Sequence, residues 1–217
     1  MDQFINIFGR PGCALRLDCR SLDWEPVLLH FENHRIMLVD SRVRHAHASS
    51  EYNQRRRQCE QAVAVLAESD RRVKSLRDAD LELLRGVRNR LDPVVFRRAD
   101  YVIRENARLL EACRHLQAGE LGAFGALMFQ AHAGMRDDFE ISCPEINLLV
   151  ETARENGLAL GARLMGGGFG GCSINLLAEN KVAEFREVLS RKFSAGFGRE
   201  PLFYPVNITG GTALAEL

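Results

Sequence analysis

Residues 164–177, LMGGGFGGCSINLL, constrain this chain more than any other stretch, because five glycines and one phenylalanine separate two apolar runs. Gly166-x-Gly168-x-x-Gly171 has the spacing of the dinucleotide-binding fingerprint. That fingerprint works only between a strand and a helix, so that the pyrophosphate meets the helix amino terminus. Here the residues after Gly171 alternate in polarity and include Ile174, which is a strand pattern. No helical period begins for about ten residues. A phosphate loop ending in Lys-Ser or Lys-Thr is excluded as well, since neither pair follows. The stretch reads as strand, glycine loop, strand. Its plain reading is a hairpin whose glycines only supply positive φ, but a short hairpin needs one or two glycines. The excess favours a bare backbone that another surface or a ligand approaches closely, with successive N–H groups aimed into a concavity.

The rest of the chain limits what such a loop can serve. With 217 residues and 46% hydrophobic content there is material for a real core, in one domain or one and a half. The formal charge is zero, so no overall field draws the chain to nucleic acid or to a membrane surface. No apolar run approaches a membrane span and no signal-peptide pattern opens the sequence. Cys13, Cys19, Cys59, Cys113, Cys143 and Cys172 are scattered without a C-x-x-C pair. They read as thiols, mostly buried, in a reducing cytoplasm rather than as disulfides or zinc ligands. His30, His34, His115 and His132 lack ligand spacing, so no metal site is expected from them.

Periodicity divides the chain into blocks. Residues 13–19 and 34–40 alternate and read as strands, with another short strand within 24–29. From Ser50 a helical period runs through Tyr52, Cys59, Val63 and Leu66. Asp92-Pro93 is a cap followed by a first-turn proline, and Val95, Ala99, Val102, Asn106, Leu109, Cys113 and Leu116 form one stripe, ended by Gly119. A further helix is expected over 121–135. Ser142 to Glu145 reads as a capping box opening a helix that Gly157 ends. Strand 159–165, strand 172–177, a helix through Phe185 and Phe193, and strand 202–208 with an internal proline complete the chain. Helices and strands in blocks predict an α+β fold, an antiparallel sheet packed against helices.

With these blocks in view, the sequence resembles the GHMP small-molecule kinases in their galactokinase form. The segment 161–172, GARLMGGGFGGC, resembles the third signature of that family. The opening MDQF is similar to the segment around the family's catalytic aspartate. Val43-Arg44-His45, with the following ASSEYN and RRRQCE runs, is similar to its sugar-contacting segment. The run 135–145, MRDDFEISCPE, and the ending FYPVNI match further blocks in order. The resemblance runs from the first residue to the last.

What the resemblance implies is a ferredoxin-like carboxy-terminal GHMP kinase domain over 46–217, with 1–45 left from the preceding domain. It implies a reaction in which ATP phosphorylates galactose to galactose 1-phosphate, with ATP and magnesium as cofactors. Asp2 aligns with the carboxylate that takes or orients the proton of the anomeric hydroxyl. Tyr52 aligns with a tyrosine whose hydroxyl bonds the sugar, and Arg44 with a basic position facing the nucleotide phosphates. Gly166, Gly167, Gly168, Gly170 and Gly171 would wall the active site. Without the resemblance these residues read blandly. An Asp at a chain start is solvated, a Tyr on a helical stripe is core, and Arg42, Arg44, Arg55, Arg56 and Arg57 with His45 and His47 read as a solvated helix face rather than a nucleic-acid patch.

Two family signatures are not found in these 217 residues: the Gly-Arg-Gly-Glu-His-Thr-Asp type that clamps sugar hydroxyls, and the glycine- and serine-rich loop that holds the ATP phosphates. The resemblance also draws magnesium ligands from that other half. The expectations are therefore the carboxy-terminal part of a galactokinase, inactive alone, with strands before Asp40 lacking sheet neighbours and association, as a homodimer, covering the exposed face. Arg42 stands where asparagine is common and Met165 where threonine is common, which leaves open a kinase for a related sugar such as N-acetylgalactosamine or arabinose. A non-catalytic sugar-sensing or interaction protein is the alternative from another class.

Overall fold

Strand β3, His34–Asp40, organises the molecule, because its alternating side chains send Met37 and Val39, at most 1% exposed, into the main core. The computed structural model describes residues 2–43, 48–155 and 157–213. Before β3 come helix α1 (Asp2–Phe8) and a hairpin of β1 (Cys13–Leu17) and β2 (Trp24–Leu28). After it come helices α2 (Ala48–Ser69), α3 (Leu81–Gly86), α4 (Pro93–Gln117), α5 (Leu121–Asp137) and α6 (Pro144–Glu155). Strands β4 (Gly161–Leu164) and β5 (Cys172–Ala178), helix α7 (Val182–Phe197) and strand β6 (Leu202–Val206) close the chain.

The antiparallel sheet runs β4-β5-β3-β6. Counting β3 as first strand, this is the order of the ferredoxin-like split β-α-β unit, here with several helices in its first crossover. Pro205 lies in edge strand β6, opposite Met37, where a missing ladder donor is tolerated. The α+β expectation is met, and so are the strand and helix blocks, with shifts of a few residues at their ends. The sheet takes its inner strand β3 from within the 1–45 segment, so a dividing line at residue 45 would cut through it. The expectation that strands before Asp40 lack neighbours fails for β3, which pairs with β5 on one side and β6 on the other.

Three cores result. Ile146, Leu149, Phe185, Leu189 and Phe193 from α6 and α7 pack with Met37 and Val39. Leu66, Leu84, Val95, Ala99 and Ile103 join the helices before α5. Val27, Leu116, Leu121 and Met128 meet Leu176 of β5. Leu109, read as part of the α4 stripe, is instead 52% exposed. The expected capping box at Ser142 is replaced by a proline-led start: α6 begins at Pro144, the Ser142 hydroxyl bonds the Asn147 side chain at 2.6 Å, and Glu145 pairs with Arg199 at 3.1 Å. All six cysteines are free; Cys143 is buried and Cys19 exposed.

The hairpin is fixed at both ends. Phe8 lies 5.2 Å from the Trp24 ring, and Arg10 sits 5.2 Å over the same indole. At the other end crossed ion pairs, Asp18 with Arg77 and Arg20 with Asp78, tie its turn to the segment before α3. The arginine hydrogen bonds hold both carboxyls well below the usual carboxylate range. Among the described residues, no helix is long and apolar enough to cross a membrane.

His132 of α5 gives the fold a pH limit. It is 2% exposed, its Nδ1 accepts from the Leu164 N–H at 3.3 Å, and burial followed by the Arg136 charge lowers its pKa to about 4. The unfolded chain protonates this imidazole near pH 6.5, whereas the folded chain resists until about pH 4. Its contribution is thus complete above about pH 6.5 and lost as pH falls through 4, a difference of about 3 kcal/mol. Urea unfolding at stepped pH is expected to show this fall. His132→Asn, which keeps an acceptor for Leu164, is expected to flatten it.

Candidate active site

The glycine loop sits where three other segments meet. Gly166 to Gly171 connect β4 and β5, with positive φ at Gly166, Gly168, Phe169, Gly170 and Gly171. The glycine excess has two separate causes. A Cβ on Gly168 would lie 2.4 Å from the Ile141 carbonyl oxygen, and one on Gly170 would lie 2.6 Å from that of Val43. The close approach inferred from sequence is therefore made by the chain's own backbone at these two positions. Gly166, Gly167 and Gly171 have nothing within 4 Å of a built Cβ. Of these, Gly167 alone has a φ that other residues readily adopt.

The loop is sewn down by hydrogen bonds. Phe169 N donates to Ile141 O at 2.7 Å, and Gly171 N to Val43 O at 3.2 Å. Ser41, fully buried, grips the Gly171 carbonyl with its N–H at 3.0 Å and its hydroxyl at 2.8 Å. Two of the loop's N–H groups are thus spent inside the chain, which narrows the expected anion cradle.

These contacts imply contrasting substitutions. Gly168→Ala combines a left-handed φ with a backbone clash and is expected to cost several kcal/mol, on the order of 3. Gly167→Ala is expected to leave the unfolding midpoint within about 0.5 kcal/mol of wild type. Denaturant curves on both variants check the contrast, and a ligand-binding defect confined to Gly167→Ala would mark the open side of the loop as the ligand face.

Helix α2 brings the second set. Tyr52 is 58% exposed, so the core reading of it fails. One turn on, Arg55 is 8% exposed, which corrects the reading of the arginine run as a solvated face: Arg56 and Arg57 are exposed, but Arg55 shares the buried stripe of Ala62 and Leu66. Arg55 donates from Nε to Phe139 O at 2.7 Å and from Nη2 to Glu140 O at 2.9 Å. Its guanidinium lies 5.9 Å from the centre of the Phe169 ring. Burial, then the neighbouring Arg98, lowers its pKa.

Arg98 of α4, 1% exposed, donates to the Asp138 carbonyl and, at 2.6 Å, to Glu140. Arg97 pairs with the other Glu140 oxygen at 2.6 Å. Glu140 itself has φ +53. The arginines hold segment 138–140 in this conformation, and the next carbonyl, Ile141, anchors the glycine loop. Sequence reasoning passed over Arg98 and Glu140, although Glu140 lies inside the 135–145 run.

Asp2 is exposed in the first turn of α1, which docks on Trp24 and on the segment near Gly211, whose N–H bonds Gly9 O at 2.9 Å. Arg44, His45 and His47 lie outside the described residues, though Val43 leads directly into them. Arg42 has φ +58, a region asparagine enters more easily than arginine, which gives a physical reason for the asparagine common there. Met165 is 38% exposed at the mouth of the loop. Among the described residues no group of three His, Cys, Asp or Glu stands close enough to hold a metal ion.

Comparison with known proteins identifies this arrangement. The family model for the GHMP kinases C terminal matches residues 109–195. Galactokinase from Homo sapiens is 44% identical over 177 residues, 82% of this chain and 44% of that protein. Galactokinase from Roseiflexus sp. (strain RS-1) is 36% identical over 211 residues, 97% of this chain and 54% of that protein. The chain thus spans about half the length of the curated relatives it matches. The crystal structure of Lactococcus lactis galactokinase complexed with galactose superposes with a TM-score of 0.90 at 31% identity, over 96% of this chain and 54% of that one. A mevalonate kinase from L. major, at 19% identity and TM-score 0.53, shares the fold. Identity along most of the chain and agreement in fold lead to one conclusion: residues 109–195 carry a GHMP kinase C-terminal domain, and the chain as a whole is similar to the matching half of galactokinases.

Proposed function

We propose that this chain is the carboxy-terminal part of a cytoplasmic galactokinase, and that these 217 residues do not phosphorylate sugar without the other half. The observation that carries the reading is the 0.90 TM-score to a galactokinase complexed with galactose, together with an exposed Tyr52 one helical turn from the residue that holds the glycine loop. In the proposed reaction the anomeric oxygen of galactose attacks the γ-phosphorus of ATP, its proton passes toward the Asp2 carboxylate, and the bond to the ADP oxygen breaks. Tyr52 bonds a sugar hydroxyl, the Arg44 charge offsets that of the phosphates, and the open side at Gly166 and Gly167 walls the pocket. Bound ATP supplies the phosphoryl group. Magnesium is expected with it, held mainly by the half of a galactokinase that these residues do not match. We place residues 2–33 with the preceding domain and start the ferredoxin-like domain at β3. The exposed Ile7, Leu22 and Leu28 await a cover, and a second copy of the chain is the proposed one, checked by sedimentation.

The test is galactose 1-phosphate formation by the chain alone and by the chain joined to the amino-terminal half of a galactokinase relative. Turnover is expected only in the joined protein, with galactose ahead of N-acetylgalactosamine and arabinose. Turnover by the chain alone, or a joined and folded protein that ignores galactose, would contradict the reading.

A further inference from the structure

We infer that Arg55 is a positioning residue that couples the Tyr52 turn of α2 to the glycine loop through a two-sided grip on the carbonyls of Phe139 and Glu140 and on the Phe169 ring. The role assigned to the loop rests on the function proposed above, whereas the linkage rests on contacts within the chain.

A buried helix position on an apolar stripe ordinarily takes an aliphatic side chain, since placing a cation there opposes its hydration. The setting of Arg55 is further disfavoured by Arg98, a second buried cation close enough to act on it. What offsets this is a set of acceptors on one side and a ring on the other. Phe139 O and Glu140 O take two of its N–H groups, Gln54 Oε1 takes a third at 3.1 Å, and Glu51 lies 3.6 Å away. The Phe169 ring is within cation–π reach.

Both ends of this grip belong to the same anchor. Segment 138–140 leads into Ile141, whose carbonyl receives the Phe169 N–H and bounds Gly168. Phe169 is also the one residue of the loop with a side chain, and it sits at φ +62, where its conformation depends on the surroundings. Arg55 therefore fixes the loop by its N–H anchor and by its ring together. Tyr52 lies three residues earlier on the same helical face, so a sugar held by Tyr52 and the wall formed by the loop are referred to one rigid element. A lysine lacks the planar fork and cannot serve both sides, and a methionine fills the space but leaves two carbonyls without their donor.

Amide hydrogen exchange on the folded chain, read peptide by peptide, tests the linkage. In Arg55→Met, exchange in 165–172 and 138–143 is expected to rise about ten- to a hundredfold, as follows from losing charge-assisted bonds, while α6 and α7 keep wild-type rates. Arg55→Lys is expected to stay near Arg55→Met. Unchanged exchange in 165–172, or equal acceleration throughout the chain, overturns the inference. If Arg55→Met fails to fold, Phe169→Leu decides: it keeps the backbone bonds and removes only the ring, and is expected to speed exchange several-fold within 166–171 alone, whereas wild-type rates there overturn the inference. Exchange is read on the chain without sugar, so failure of the joined protein to turn over galactose would count against the proposed function alone.

Discussion

Replacing Asp2 by asparagine in the joined kinase is expected to lower kcat about 10²- to 10⁴-fold, while galactose affinity stays within about tenfold of wild type. The side chains are nearly isosteric, so contacts to bound sugar change little. The amide, however, cannot take a proton from the anomeric hydroxyl as it attacks. A carboxylate that only fills space would show neither effect, and one that mainly binds sugar would raise KM with kcat unchanged. Steady-state kinetics in galactose distinguish the three. Asp2 is exposed on a helix that Phe4 and Phe8 pack onto Trp24.

The second large effect is on stability. Arg98→Ala is expected to cost about 3 kcal/mol or more, from the cavity left by a fully buried side chain and from the Asp138 carbonyl losing its donor. A stranded charge contributes little, because Glu140 is 46% exposed at its side chain and keeps Arg97. Arg98→Met restores most of the volume and is expected to cost about 1–2 kcal/mol, leaving chiefly the hydrogen-bond loss. Urea midpoints at constant m-value measure both. Equal losses in the two variants would place the energy in the polar contacts of the guanidinium instead of in the cavity.

Much of this architecture was legible locally. Alternation marks β1 and β3, Asp92-Pro93 starts α4 where the side chain of Asp92 accepts from Val94 N at 2.8 Å, and Gly119 with φ +72 ends it. What local pattern cannot supply is a partner far along the chain. β3 pairs with β5, as at Met37 and Asn175, and no periodicity in either strand names the other, so nothing local shows that β3 joins the later strands. The glycine loop shows the same division. Its excess of glycine was visible, but that Ile141 and Val43 make the close approaches depends on folding. Arg55 was misread for a different reason. Its charge hid its place on a buried stripe, and the carbonyls that justify a cation there lie in segment 138–140. Tyr52 was the opposite case, read as core by period and found exposed near the helix start.

The central claim is that one hexose bridges the first turns of α2, the open side of the glycine loop and the aspartate of α1. Crystals of the joined kinase soaked with galactose measure this directly. The account predicts a single sugar with a hydroxyl on Tyr52, its ring against Gly166 and Gly167, and its anomeric oxygen turned to Asp2. A sugar bound elsewhere, or Asp2 and Tyr52 too far apart to touch the same ring, would contradict it.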